Sequence, residues 1–236
     1  MRVVWVGLAA VSMLVTGCSA AASSSSSGAV TSPSATVTAA VSANPDAGLL
    51  TGTQLKAALA PGGWFPAGFS IGSTGAVNTG ADYQPPVAPG RLPCSRLEET
   101  SWIDLADVGF VSFAQNDYID KSTSEEYAQE IDVFQGTGAK RVMTGLGKLA
   151  RTCASFRDTI VPGSTVTVAR IAPPRLGYQA VALTLADPSW QGGETLEAIR
   201  VGSAVITVWF SADSDAGTAQ ATSLARTVLR NLEREL

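Results

Sequence analysis

The residues best suited to chemistry in this sequence are carboxylates. Eight acids crowd one stretch: Asp104, Asp107, Asp117, Asp120, Glu125, Glu126, Glu130 and Asp132. Two carboxyls held roughly 5–9.5 Å apart can hydrolyse a glycosidic bond, and a cluster of them can coordinate calcium. No segment has the spacing of an EF-hand loop, and each acid falls at a turn or on the polar side of an alternating strand. The expectation is therefore a solvated face rather than a site. Arg170 and Glu197 stand apart because each shares alternation parity with apolar strand residues, Val166 and Val168 for the first, Ile199 and Val201 for the second. If that face lines a cleft, the pair is placed to orient a polar ligand. The plainer alternative puts each near a strand end, its stem packed and its charge in water.

The 236-residue chain contains no histidine. That removes Ser-His-Asp and Cys-His nucleophilic systems, the usual general base near neutrality, and most catalytic zinc sites. No phosphate-binding loop or dinucleotide fingerprint occurs, since Gly145-Leu146-Gly147 lies inside a helical pattern and not between a strand and a helix start. No catalytic residue, metal site or cofactor is expected. Lys and Arg total 16 against 20 Asp and Glu, a dispersed acidic balance that argues against a nucleic-acid partner.

The N-terminus carries a different kind of chemistry. Arg2 precedes an apolar run, Val3 to Val15, and Thr16-Gly17 then stand directly before Cys18. This is a secretory signal that looks like a bacterial lipobox, in which the peptide is cut before the cysteine and Cys18 is acylated. A run ending at Gly17 is short for a membrane span, which needs about 20 apolar residues. Ala20-Ala21-Ala22 offers the competing reading, a plain signal cleavage site. Residues 1–17 are thus expected to be a lipoprotein signal peptide, and their loss takes the net charge from −4 to −5 through Arg2. Residues 18–48 follow as a Ser-, Thr- and Ala-rich tether, uncharged up to Asp46, of a composition that cannot offset ordering entropy. A flexible stretch of that length spans on the order of 30 Å. The expected location is the outer face of a cell membrane, held by lipid. Cys94 and Cys153 remain; in an oxidising compartment such a pair is most simply a disulfide, the alternative being two buried thiols.

The elements that must position these residues occupy 49–236. Thr53 is placed to cap a short helix over 54–59, which Pro61-Gly62-Gly63 ends. A strand is expected near 69–72, a helix over 96–105, and strands over 108–114 and 127–135. In the last of these, Ile131 and Val133 share one face, with Glu130, Asp132 and Phe134 on the other. Val142, Leu146, Leu149, Cys153 and Phe156 form the buried stripe of a helix over 137–156. Strands follow over 165–171, 179–186, 196–201 and 204–210, the last two joined by a Gly202-Ser203 hairpin turn. A helix over 216–235 closes the chain. Consecutive strands with short connections indicate an α+β fold, a single domain in which an antiparallel β-sheet carries packed α-helices.

This order of features resembles the extracellular sensor domain family of the mycobacterial serine/threonine kinase H, whose relatives include actinobacterial lipoproteins. The resemblance rests on Leu49-Leu50-Thr51, Cys94 before a helix, Cys153 late in a long helix with Phe156 after it, Pro173-Pro174-Arg175-Leu176-Gly177, Ile199-Arg200-Val201-Gly202 and the closing amphipathic helix. It implies an antiparallel sheet with helices, disulfide bonding and a cleft for an unidentified ligand. Members often carry two disulfides, where this chain has cysteines for one, and many place an acid where Tyr178 stands.

The function expected from all this is a membrane-anchored extracytoplasmic lipoprotein with a sensor-like, non-catalytic ligand-binding domain. Its partners would be the membrane, through the lipid anchor, and a small-molecule, cell-wall or protein ligand. Two other readings stand beside it: a protein-interaction or envelope-structural lipoprotein, and a carboxylate-dependent hydrolase.

Overall fold

A computed structural model of the chain describes residues 47–78, 93–102, 110–158 and 161–236. Cys18, the tether, Asp104 and Asp107 lie outside the described residues. Helix α1 (Gly52–Ala58) starts two residues before the expected position. Thr51, not Thr53, is its cap, because Gln54 three residues on completes a reciprocal box: its N–H donates to Thr51 Oγ1 and its Oε1 accepts the Thr51 N–H at 3.0 Å. The chain then forms strands β1 (Phe69–Asn78), β2 (Phe110–Asp120) and β3 (Glu126–Phe134), and helix α2 (Gly138–Thr152). Strands β4 (Ser155–Arg157), β5 (Thr165–Ile171), β6 (Gln179–Ala186), β7 (Gly193–Val201) and β8 (Ala204–Ser211) follow, and helix α3 (Thr218–Glu235) comes last.

All eight strands join one antiparallel sheet in the order β1-β2-β3-β8-β7-β6-β5-β4. The β7–β8 hairpin forms at its centre, with Gly202 at φ +58° supplying the left-handed conformation its two-residue turn requires. Helices α1 and α3 cover one face over Ile131, Ile199, Ile206, Val208 and Phe210. Helix α2 and the 93–102 segment cover the other, over Leu183, Leu196, Ala198 and Val205. The α+β expectation and the alternating parity of β3 are as read from sequence.

Two further helices differ from expectation. The 96–105 helix is a single 3-10 turn, Cys94–Glu98, followed by extended chain to Trp102. Tertiary contacts override helix propensity here: Trp102 is fully buried and its indole N–H donates to Thr207 Oγ1 of β8 at 2.8 Å. Helix α2 stops at Thr152 rather than 156, with the Cys153 N–H closing its last turn on the Leu149 carbonyl. Ser155–Arg157 leave to pair with β5, so Phe156, apolar and in phase for either element, sits on a strand. Strand β2 also runs on past Ala114 to Asp120, because β1 and β3 flank and pair its polar half.

Cys94 and Cys153 are bonded, Cα atoms 5.6 Å apart. The bridge fastens the 93–102 segment to the end of α2 and closes a separation of 59 residues. In the chain-entropy estimate a loop of that size is worth about 4 kcal/mol, comparable to one or two fully buried aliphatic side chains at ~1.5–3 kcal/mol each. Reduction, or paired Cys→Ala replacement, is expected to lower the urea unfolding free energy by roughly that amount. Coincident unfolding curves for oxidised and reduced protein would contradict the assignment.

Candidate functional site

Strand β3 sets Glu130 and Asp132 side by side on the α2 face of the sheet, two residues apart. They are 2% and 0% exposed, so the solvated face expected for them is not what forms. The 93–102 segment lies over them. Thr100 Oγ1 donates to Glu130 Oε2 at 2.6 Å, and the Trp102 N–H lies 3.5 Å from Asp132 Oδ2. Asp132 Oδ1 has no hydrogen-bond partner among the described residues. Burial pushes both carboxyls above the usual carboxylate range. Asp132 goes well above it, with the neighbouring Glu130 charge adding to burial, while the Thr100 hydroxyl and Arg96 partly restrain Glu130. Such a pair holds a proton in common. Two sealed carboxyls in contact leave no room for a sugar between them, unlike the open spacing of glycosidases.

The remaining described acids of that stretch behave as turn and surface groups. Asp120 caps the β2–β3 turn through the Ser122 N–H at 2.8 Å and the Ser122 hydroxyl at 2.6 Å, which hold its carboxyl below the usual range. Asp117 accepts from Ser73 on the neighbouring strand.

Arg170 and Glu197 are not brought together. Arg170 stands opposite Leu183, which stands opposite Leu196, so it belongs to the α2 face, and it is exposed. Glu197 stands opposite Val208 on the α3 face and is 1% exposed. Thr222 of α3 donates to Glu197 Oε1 at 2.5 Å, Oε2 has no hydrogen-bond partner among the described residues, and burial raises its pKa. Equal parity with apolar neighbours holds for both residues, but the register through β6 aligns Arg170 with Leu196, and Glu197, the next residue along β7, points to the opposite face.

An open concavity lies elsewhere, where the end of α1 meets the second half of α3. A groove of about 560 Å³ is walled by Ala57, Leu59, Pro61, Gly63 and Trp64 on one side and by Thr227, Arg230, Asn231, Arg234 and Glu235 on the other. Its aromatic wall is rigid. Trp64 is half-buried and meets Phe65 and Tyr127 edge-on, with ring centroids 5.0 and 5.6 Å apart. Phe65 in turn stacks on Tyr118 at 3.8 Å. Asn231 Nδ2 donates to the Leu59 carbonyl at 3.4 Å, tying the two walls together. Arg230 donates to Thr227 Oγ1 at 3.2 Å, and Arg234 has no hydrogen-bond or ion-pair partner among the described residues. Arg230, Asn231 and Arg234 carry no motif in the sequence. The available signal was two like charges four residues apart on the closing helix.

No family model and no curated protein matches the sequence. Among solved structures, the chain is similar to the extracellular domain of PknH from Mycobacterium tuberculosis, at a TM-score of 0.58 and 11% identity, over 78% of this chain and 97% of that one. An uncharacterised protein of Mycobacterium smegmatis, the Rv0999 ortholog, matches with a TM-score of 0.43 and 12% identity, over 72% of this chain and 92% of that one. The chain therefore has the fold of the PknH extracellular domain, as the resemblance in its sequence implied. Among the described residues, no helix is long and apolar enough to cross a membrane.

The buried acids make a signed prediction. A carboxyl with a higher pKa folded than unfolded gives the native state the extra proton, so stability declines as pH rises above about 4, the unfolded value, toward the folded one. Asp132→Asn removes the charge while keeping the shape. Its urea midpoint is expected to fall less than that of the native protein between pH 4 and 8 (the range to be scanned, on the order of the ordinary carboxylate-to-neutral interval). Parallel profiles for the two proteins would rule out a buried proton on this pair.

Proposed function

We propose that the chain is a membrane-anchored extracytoplasmic lipoprotein whose folded domain binds a ligand and does not catalyse a reaction. The groove of about 560 Å³ between α1 and α3 carries the binding part of this reading, because it combines a rigid aromatic wall with polar groups left over for a guest. The two best candidates for acid–base work, Glu130 and Asp132, are instead consumed in holding the 93–102 segment. Val15-Thr16-Gly17-Cys18 after an apolar run supports the anchor, and a disulfide supports an oxidising compartment. The likeness to a domain described as extracellular agrees with that side of the membrane.

Anchoring predicts that Cys18→Ala moves the protein from the membrane fraction to the soluble one and leaves its N-terminal peptide without acyl mass. Unchanged membrane association would contradict it. Binding predicts that a panel of small metabolites and wall fragments contains at least one compound that stabilises the domain. At 100 times its Kd such a ligand adds about 2.7 kcal/mol, or roughly 5–11 °C in Tm for a domain of this size. A panel in which no compound shifts Tm would count against a small-molecule ligand.

A further inference from the structure

We propose that the α1–α3 groove is a site for an acidic saccharide, a sugar bearing one carboxylate or phosphate; this rests on the reading of the domain as a ligand binder. Arg230 and Arg234 lie one helical turn apart and both line the groove. Like charges at that spacing oppose helix formation, and the chain is acidic, with 20 Asp and Glu to 16 Lys and Arg. Even so, neither arginine has an ion-pair partner among the described residues. The helix dipole favours a cation within the last turn, which accounts for Arg234 but not for Arg230 a turn earlier. What the two share is the groove. A guanidinium offers a planar fork of donors matched to a carboxylate or phosphate, so a bound anion would relieve the repulsion between them.

The other walls narrow the class. Trp64, packed edge-on with Phe65 and Tyr127, lines the groove with aromatic surface, which suits the polarised C–H groups of a pyranose. Asn231 keeps one amide hydrogen and its carbonyl oxygen for hydroxyl groups beyond its bond to Leu59. Glu235 lines the same groove as an acceptor-only group when ionised. It accepts from hydroxyls and repels additional negative charge. That combination fits a polyol with a single anionic group, and disfavours polyphosphates and the surface of an anionic bilayer.

The test is calorimetric titration of the detergent-free Cys18→Ala chain, which cannot be acylated, with glucuronic acid and glucose 6-phosphate, against glucose, inorganic phosphate and phosphatidylglycerol vesicles. Both sugar acids are expected to bind at least tenfold more tightly than any of the three controls. The double variant Arg230→Gln/Arg234→Gln, at two exposed positions, is expected to lose at least tenfold in affinity for them with its Tm held. Equal binding of glucose would show that the arginines do not recognise the anion. Equal or tighter binding of inorganic phosphate or vesicles would show that the sugar is not recognised. No binding of either acid would overturn the proposal. A different compound that stabilises the native chain and the double variant alike would overturn this site while leaving the ligand-binding reading intact.

Discussion

Helices cover both faces at the centre of the sheet, so β3, β7 and β8 have no wet side. In β7 only Arg200 escapes full burial, and in β8 only Ser211. Every polar side chain on these strands must therefore be bonded or neutral. Trp209 donates its indole N–H to Glu194 at 3.3 Å, Thr222 donates to Glu197, and Trp102 reaches Thr207 and Asp132. The magnitudes decide how the acids respond. Taking an ion out of water costs several kcal/mol even after relaxation, whereas a hydrogen bond returns about 0.5–1.5 kcal/mol, or up to ~3 to a charged group. One or two bonds do not offset ionisation, so Glu130, Asp132 and Glu197 are shifted toward their protonated forms.

The same constraint organises the rest of the molecule. The 93–102 segment seals the acid pair, and the Cys94–Cys153 bridge fixes that segment to α2. With the interior committed to packing, the groove between α1 and α3 is lined at the surface by Trp64, Arg230 and Arg234. Function in this reading belongs to helix ends, and the sheet is the frame that holds them apart.

Much of this frame was legible in the sequence. Period-two alternation in β3, the Gly202-Ser203 turn and the stripe of Val142, Leu146 and Leu149 gave element type, strand parity and the antiparallel class, because each is a local signal. The cysteine pair was legible from count and compartment. What could not be read was which faces would be covered. An alternating strand normally has a polar face toward water, so Glu130 and Asp132 read as solvated until a second layer came down on them. That layer depends on Trp102 reaching Thr207, a contact spanning 105 residues that no local pattern encodes. Arg170 and Glu197 failed as a pair for a related reason: parity is defined within a strand, and only the register between strands assigns a common face. The groove was illegible because it joins residues 57–64 to residues 227–235.

The central claim is that covering both faces of the sheet raises the pKa of the carboxyls buried on β3. Carbon-13 NMR of the side-chain carboxyls follows that directly as pH is varied. The account predicts that Glu130 and Asp132 titrate as a coupled pair displaced above the ordinary carboxylate range, while Asp120, held by the Ser122 bonds at the β2–β3 turn, titrates below it. Ordinary midpoints near 4 for both Glu130 and Asp132, about the value of free carboxyls, would mean that water reaches them, and the two-faced covering of the sheet would be wrong.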